Sequence, residues 1–123
     1  MNKVILSGNL CRDIELKTTN GGKEVVSNCI AVQRDFKTNG EYESDFINIV
    51  VWGASAGYLS RVASKGDRVE LIGRWQVRKY EDSNGTQQTI NECVVESIKV
   101  FAKNKDESKQ KEDAEQSIND LPF

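Results

Sequence analysis

The chain has 123 residues, 17 basic and 19 acidic, with a formal net charge of -2 and no histidine. That length suits one domain with a modest core. The missing histidine removes the usual general base and the commonest metal ligand, and no apolar stretch approaches the roughly 20 residues needed to span a bilayer.

The charge is unevenly placed. Residues 1–105 hold 15 basic and 13 acidic side chains, whereas residues 106–123 hold 2 and 6. A slightly basic body therefore carries an acidic tail, which the global figure conceals. Cys11, Cys29 and Cys93 are far apart and odd in number. Without a Cys-x-x-Cys spacing, neither a zinc site nor a redox pair is indicated, and the three read as reduced, structural thiols. The N-terminus lacks the apolar segment of a signal peptide, so a cytoplasmic protein is expected.

Asn2 to Leu10 alternates, with Val4, Leu6, Gly8 and Leu10 on one face and Lys3, Ile5 and Ser7 on the other. This predicts a first strand partly covered on its outer side, where Gly8 admits another backbone or a bend. Ile14 and Leu16 continue it after a kink at Arg12-Asp13, and Thr19-Asn20-Gly21-Gly22 is a turn signal. Glu24 to Phe36 is the second long strand. Val26, Asn28, Ile30, Val32, Arg34 and Phe36 share one face, and Val25, Cys29 and Ala31 the other. A polar loop, Lys37 to Glu41, leads into the third strand, Ser44 to Trp52. This strand has no proline or glycine and is rich in β-branched and aromatic residues. Its period of two separates an aliphatic row, Ile47, Ile49 and Val51, from a mixed row, Phe46, Asn48, Val50 and Trp52. The aliphatic row reads as core. The mixed row is either a second packing layer or an exposed stacking platform.

Ser55 to Lys65 is the one convincing internal helix. Ser55 serves as N-cap, Leu59, Val62 and Ala63 form an apolar stripe flanked by Tyr58, and Gly66 is the stop. So short a helix must cap something larger. Arg68 to Tyr80 is the fourth strand, with Val69, Leu71, Gly73, Trp75 and Val77 alternating with Glu70, Ile72, Arg74, Gln76, Arg78 and Tyr80. Trp75 falls on the core parity and reads as structural. Asp82-Ser83-Asn84-Gly85 turns the chain into the fifth strand, Gln87 to Phe101, whose use of both parities predicts a bulge near Asn91 or Ser97. Glu92 and Glu96 read as solvated surface charge.

Strand, strand, strand, helix, strand, strand predicts an all-β fold over residues 1–105: a five-stranded OB-fold barrel with one helix between its third and fourth strands. Closure protects edges that an open sheet would expose. A small α+β sandwich is the alternative, but one short helix covers too little of four long apolar strands. Residues 106–123 form an acidic tail, expected to be disordered, that ends in the hydrophobic cluster Ile118 to Phe123. That end is either a chance sequence or a short peptide ligand, with Pro122, Phe123 and the terminal carboxylate entering a basic-edged pocket on a partner.

Phe36, Phe46, Trp52 and Tyr80 are expected on parities that avoid the best aliphatic rows, and Arg34, Arg74, Gln76 and Arg78 share them, with Lys79 beside them. Such rings offer bases a stacking surface that tolerates any sequence, and nearby arginines pair with phosphate or lie over a base. Core or subunit packing is the competing reading of the rings.

The residues also carry a resemblance. Asn2 to Leu10, Asn20-Gly21-Gly22, Asp45 to Trp52, Lys65-Gly66-Asp67, Gly73 to Tyr80 and the tip Asp120-Leu121-Pro122-Phe123 together resemble the bacterial-type single-stranded DNA-binding protein family. The likeness extends to short forms borne by phages and plasmids of low-GC Gram-positive bacteria. It implies base stacking at Phe36, Phe46, Trp52 and Tyr80 and a basic contact at Arg78, while Gln76 stands where a basic residue is frequent. It implies a homotetramer built from pairs whose first strands meet, consistent with an outward Ile5. It also implies that Asp120, Leu121, Pro122 and Phe123 recruit replication, recombination and repair proteins. Asn119 replaces one of two expected acids, and the tail before the tip is short. The resulting expectation is sequence-independent binding and protection of single-stranded DNA, with no cofactor, no metal and no catalytic group. An OB-fold protein for RNA or primosome assembly is the alternative; a pure interaction module or an enzyme fits less of the pattern.

Overall fold

The computed structural model describes residues 1–101, so the acidic tail and its tip, Asp120 to Phe123, lie outside the described residues. The elements are β1 (Val4–Leu10), β2 (Leu16–Thr18), β3 (Glu24–Thr38), β4 (Glu41–Trp52), α1 (Ala54–Val62), β5 (Arg68–Glu81) and β6 (Gln87–Phe101). The sheet runs β1-β5-β6-β4-β3-β2, and a further pairing of β1 with β3 closes it. All pairings are antiparallel except β4 with β6, which is parallel. This closed mixed barrel is the OB architecture expected. β1 and β2 act as one curved strand: β1 pairs first with β5, then at Asn9 and Leu10 with β3, and β2 takes over along Val26 to Glu24.

Two glycines allow the walls to approach. A Cβ on Gly8 would lie 2.4 Å from the Ala31 carbonyl oxygen, and one on Gly73 would lie 2.4 Å from that of Val94. Gly8 thus lets β1 cross from β5 to β3. Gly73 sits at the register shift between β5 and β6, where Glu96 is the extra residue, next to the predicted Ser97. The kink after β1 is held by Asn28, which is buried. Its Oδ1 accepts from the backbone N–H of Arg12 and of Cys29, and its Nδ2 donates to the Arg12 carbonyl. Every buried polar atom of that amide is therefore satisfied.

The barrel interior is filled from alternate positions: Leu10, Val26, Ile30, Ile49, Val51, Val69, Leu71, Cys93 and Val95. Helix α1 adds Ala56 and Leu59 and closes one end, but its bounds differ from expectation. Gly53, at φ 65°, occupies the N-cap position, so Ser55 lies inside the first turn and makes no capping bond. The helix stops at Val62, because Ser64 to Asp67 folds into a turn: the Asp67 carboxylate accepts from the Ser64 N–H, and Gly66 N–H bonds Leu10. Val62 is consequently exposed rather than part of the packed stripe.

Candidate functional site

Strand alternation and register assemble one continuous outer wall. On β4 the outward row is Phe46, Asn48, Val50 and Trp52, since Ile49 and Val51 are buried inside. β6 lies parallel beside it, with Val50 opposite Val94. β5 then follows, with Arg74 opposite Val94, Gln76 opposite Glu92, Arg78 opposite Ile90 and Tyr80 opposite Gln88. Val50 and Val94 are nearly buried between their neighbours and give the wall an apolar floor. Around that floor three large rings remain accessible: Phe46 is 71% exposed, Trp52 44% and Tyr80 45%. A ring retained in water on a folded barrel has surface left for a planar ligand.

β4 and β6 pair only over Ile49–Val51 and Cys93–Val95. Beyond that seam the β3–β4 and β5–β6 hairpins continue as separate arms. On the β5–β6 arm, Glu92 organises the polar side chains. Its residue surface is 5% exposed, and its Oε1 accepts from Arg78 Nε at 2.8 Å and Gln76 Nε2 at 3.2 Å. Gln76 Oε1 in turn accepts from Arg74 Nη1 at 3.3 Å. Glu92 is therefore no solvated surface charge, and this corrects the sequence reading. Its signal was present: counting back from the Asp82–Gly85 turn places it opposite Gln76. Glu96 does lie at the surface, paired with Lys3.

The other predicted site residues are placed differently. Lys79 pairs across from Thr89 on the alternate parity, so it faces away from Arg78 and Tyr80 with Trp75 and Val77. The same face of this arm projects past the barrel interior, which leaves Trp75 37% exposed rather than in the core. Arg34 lies on the parity of Ile30, not that of Phe46, and is held on the far side of the β3–β4 arm. Its Nε and Nη2 donate to Asp45 and its Nη1 to Glu43. The Arg34 guanidinium bonded to Asp45 lowers that carboxyl below the usual carboxylate range, and the same contact raises the arginine. Phe36 falls where the β3–β4 register shifts between Gln33 and Lys37, so alternation alone does not assign it to the wall. It is 84% exposed near the arm's tip, where Lys37 Nζ lies 5.2 Å from the centre of the Tyr42 ring. The wall therefore gathers Phe46, Trp52, Tyr80, Arg74, Gln76 and Arg78, while Phe36, Arg34 and Lys79 lie around it.

Among the described residues no group of three or more His, Cys, Asp or Glu side chains could hold a metal ion, and no helix is long and apolar enough to cross a membrane. The cysteines hold one feature that their spacing hid: the barrel closure sets Cys11 beside Cys29.

Comparison with known proteins gives this geometry a context. Residues 1–101 match the model of the single-strand binding protein family. The chain is 45% identical over 102 residues to single-stranded DNA-binding protein 3 of Clostridium acetobutylicum, covering 82% of this chain and 71% of that one. It is 42% identical over 102 residues to the single-stranded DNA-binding protein of Clostridium tetani, covering 82% and 70%. It is 41% identical over 112 residues to single-stranded DNA-binding protein 1 of Staphylococcus aureus, covering 89% and 72%.

Proposed function

The chain belongs to the single-strand binding protein family, and on that premise we propose that its outer wall binds single-stranded DNA without regard to sequence and protects it during replication, recombination and repair. The observation that carries this reading is the accessible trio Phe46, Trp52 and Tyr80 around the Val50–Val94 floor, with Arg74 and Arg78 on the same face. Bases stack on the rings. Phosphates meet the arginines, and the lysines at the arm edges, Lys79 among them, extend the track. Phe36 stacks a further base at the tip of its arm, and Arg34 contributes once strand contact competes with its carboxylates.

The assembly is a cytoplasmic homotetramer, and one DNA strand wraps several subunits, so linked sites raise avidity through effective concentration. Ile5 and Ile72 stand opposite each other and are both exposed, which supports a subunit contact along β1. The tip, Asp120 to Phe123, recruits replication, recombination and repair proteins, and the acidic tail competes with DNA for the basic track.

Oligo-dT titration followed by intrinsic fluorescence tests the reading, with the matching RNA as competitor. Quenching that saturates with oligo-dT and resists RNA is expected; preference for RNA would transfer the site to the other nucleic acid. Deleting residues 106–123 should preserve or tighten DNA binding while abolishing partner recruitment. Loss of DNA binding by a folded truncation would overturn the role assigned to the tail.

A further inference from the structure

Cys11 and Cys29 are separated by a turn, a short strand and a hairpin in sequence, yet the barrel seam makes them neighbours. Leu10 pairs with Ile30, and the Cys11 N–H donates to the Cys29 carbonyl at 2.8 Å, which continues that register by one residue. Antiparallel partners stand about 4.5–5.5 Å apart at Cα, inside the range of about 4.4–6.8 Å that a disulfide spans. Leu10 and Ile30 point into the core, so both cysteines point outward on the same face, and both are partly exposed. Cys11 Sγ lies 3.8 Å from the Asn9 carbonyl oxygen and Cys29 Sγ 3.8 Å from that of Ile30, and the Cys29 thiol helps raise the Cys11 thiol. Cys93, by contrast, is buried inside the barrel.

We propose that Cys11 and Cys29 form a reversible disulfide when the protein meets hydrogen peroxide, stapling the end of β1 to β3 at the seam that closes the barrel. The staple lies beside the wall, because Cys29 sits directly across from Asn48, between the Phe46 and Val50 positions. The chemistry balances. One thiolate attacks a peroxide oxygen, the O–O bond breaks, water leaves and a sulfenic acid remains. The second thiol then attacks that sulfur, forms the S–S bond and expels a second water. Two electrons pass from the sulfurs to the peroxide, and both thiol protons end in water. Burial and the adjacent Cys29 thiol push the Cys11 thiol up to about 11, so little of it is thiolate near neutral pH. Cys11 is therefore a slow attacking thiol, and the link forms under sustained rather than trace oxidant.

The test uses the reduced full-length chain and hydrogen peroxide. Thiol titration should fall from three to one, intact mass should drop by two hydrogen atoms, and non-reducing peptide maps should link the Cys11 and Cys29 peptides. Dithiothreitol should reverse all three. Cys93→Ser should cross-link normally, whereas Cys11→Ser and Cys29→Ser should not. The oxidised protein should melt about 5 °C or more higher, since the link closes residues 12–28 into a loop in the unfolded chain. Retention of all three thiols, intermolecular linkage, or oxidation that stops at sulfinic acid on one cysteine would overturn the pairing. A cross-link that leaves the melt unchanged would overturn the staple.

Discussion

The two hairpin arms each hold an arginine against carboxylates, but the carboxylates differ in their exposure to water. On the β3–β4 arm, Arg34, Glu43 and Asp45 are all about half exposed. On the β5–β6 arm, Arg78 is half exposed while the side chain of Glu92 is 6% exposed. An ion pair in water is weak, screened by salt and readily exchanged for another anion. A buried acid that loses its partner leaves a charge without solvation, so its pairing persists. Glu92 thus fixes Arg78 by Nε, and on the proposed reading the terminal guanidinium nitrogens are the ones that meet a phosphate. The Asp45–Glu43 pair only parks Arg34. One arm holds its arginine on a buried acid and the other on exposed ones.

Breaking the root of the β5–β6 arm should have the largest effect. Gly73→Val places a side chain against the Val94 carbonyl and the Cys93 sulfur, where even a Cβ would sit at 2.4 and 2.8 Å. Overpacking of this kind costs about 1–3 kcal/mol, and backbone at the contact puts the expectation at the upper end. Chemical denaturation should show a lower midpoint and, in the folded fraction, weakened DNA binding.

Removing the rings should separate binding from folding. Phe46→Ala and Tyr80→Ala should each weaken oligo-dT binding by about 1–3 kcal/mol, a range already drawn from single-strand binders of this class rather than derived from this barrel. Their melts should stay near the parent's, since both rings are exposed. A collapsed melt with unchanged binding per folded molecule would make the ring structural.

Truncating the two arginines tests the comparison itself. Arg78→Ala leaves Glu92 with Gln76 alone and should cost about 1 kcal/mol or more in stability, as well as shallowing the salt dependence of DNA binding. Arg34→Ala should leave stability almost unchanged in the same denaturation assay. Equal losses would show that burial of Glu92 does not distinguish the arms.

The smallest effect is a pH dependence. Asp45 is depressed below its ordinary value of about 4. The unfolded chain therefore binds its proton more readily, so the stabilisation by Arg34 is complete above about pH 4 and is lost as pH falls through the lower folded value. Comparing Asp45→Asn with the parent across that acidic window should show a small difference above it that vanishes below. A difference that grows on acidification would reverse the sign.

Much of this molecule was legible from periodicity. The row Ile47, Ile49 and Val51 against Phe46, Asn48, Val50 and Trp52 comes from alternation alone, because a strand has only two faces and one of them is aliphatic. The turn signals at Asn20–Gly22, Asn39–Gly40 and Asp82–Gly85 divide the strands, and their order with one helix is enough for the barrel. Alternation failed where the strands leave the barrel. There an inward parity no longer means burial, so Trp75 and Val77 are exposed; Arg34 keeps the parity of Ile30, and the register of β3 with β4 is what turns that parity away from Phe46. The helix bounds also needed more than local pattern, because the Asp67 turn and the Gly66–Leu10 bond end the helix early.

The sequence by itself determined the order of elements and, on the third predicted strand, that Phe46 and Trp52 avoid the aliphatic row, since these depend on chain geometry between near neighbours. Tertiary structure alone decided that Arg78 and Gln76 meet a buried Glu92, that Arg34 is parked on Asp45, and that Cys11 touches Cys29. Each of those contacts depends on register between strands distant in sequence. Register in a closed barrel is set by the packing of the whole core and by the close approaches that Gly8 and Gly73 permit.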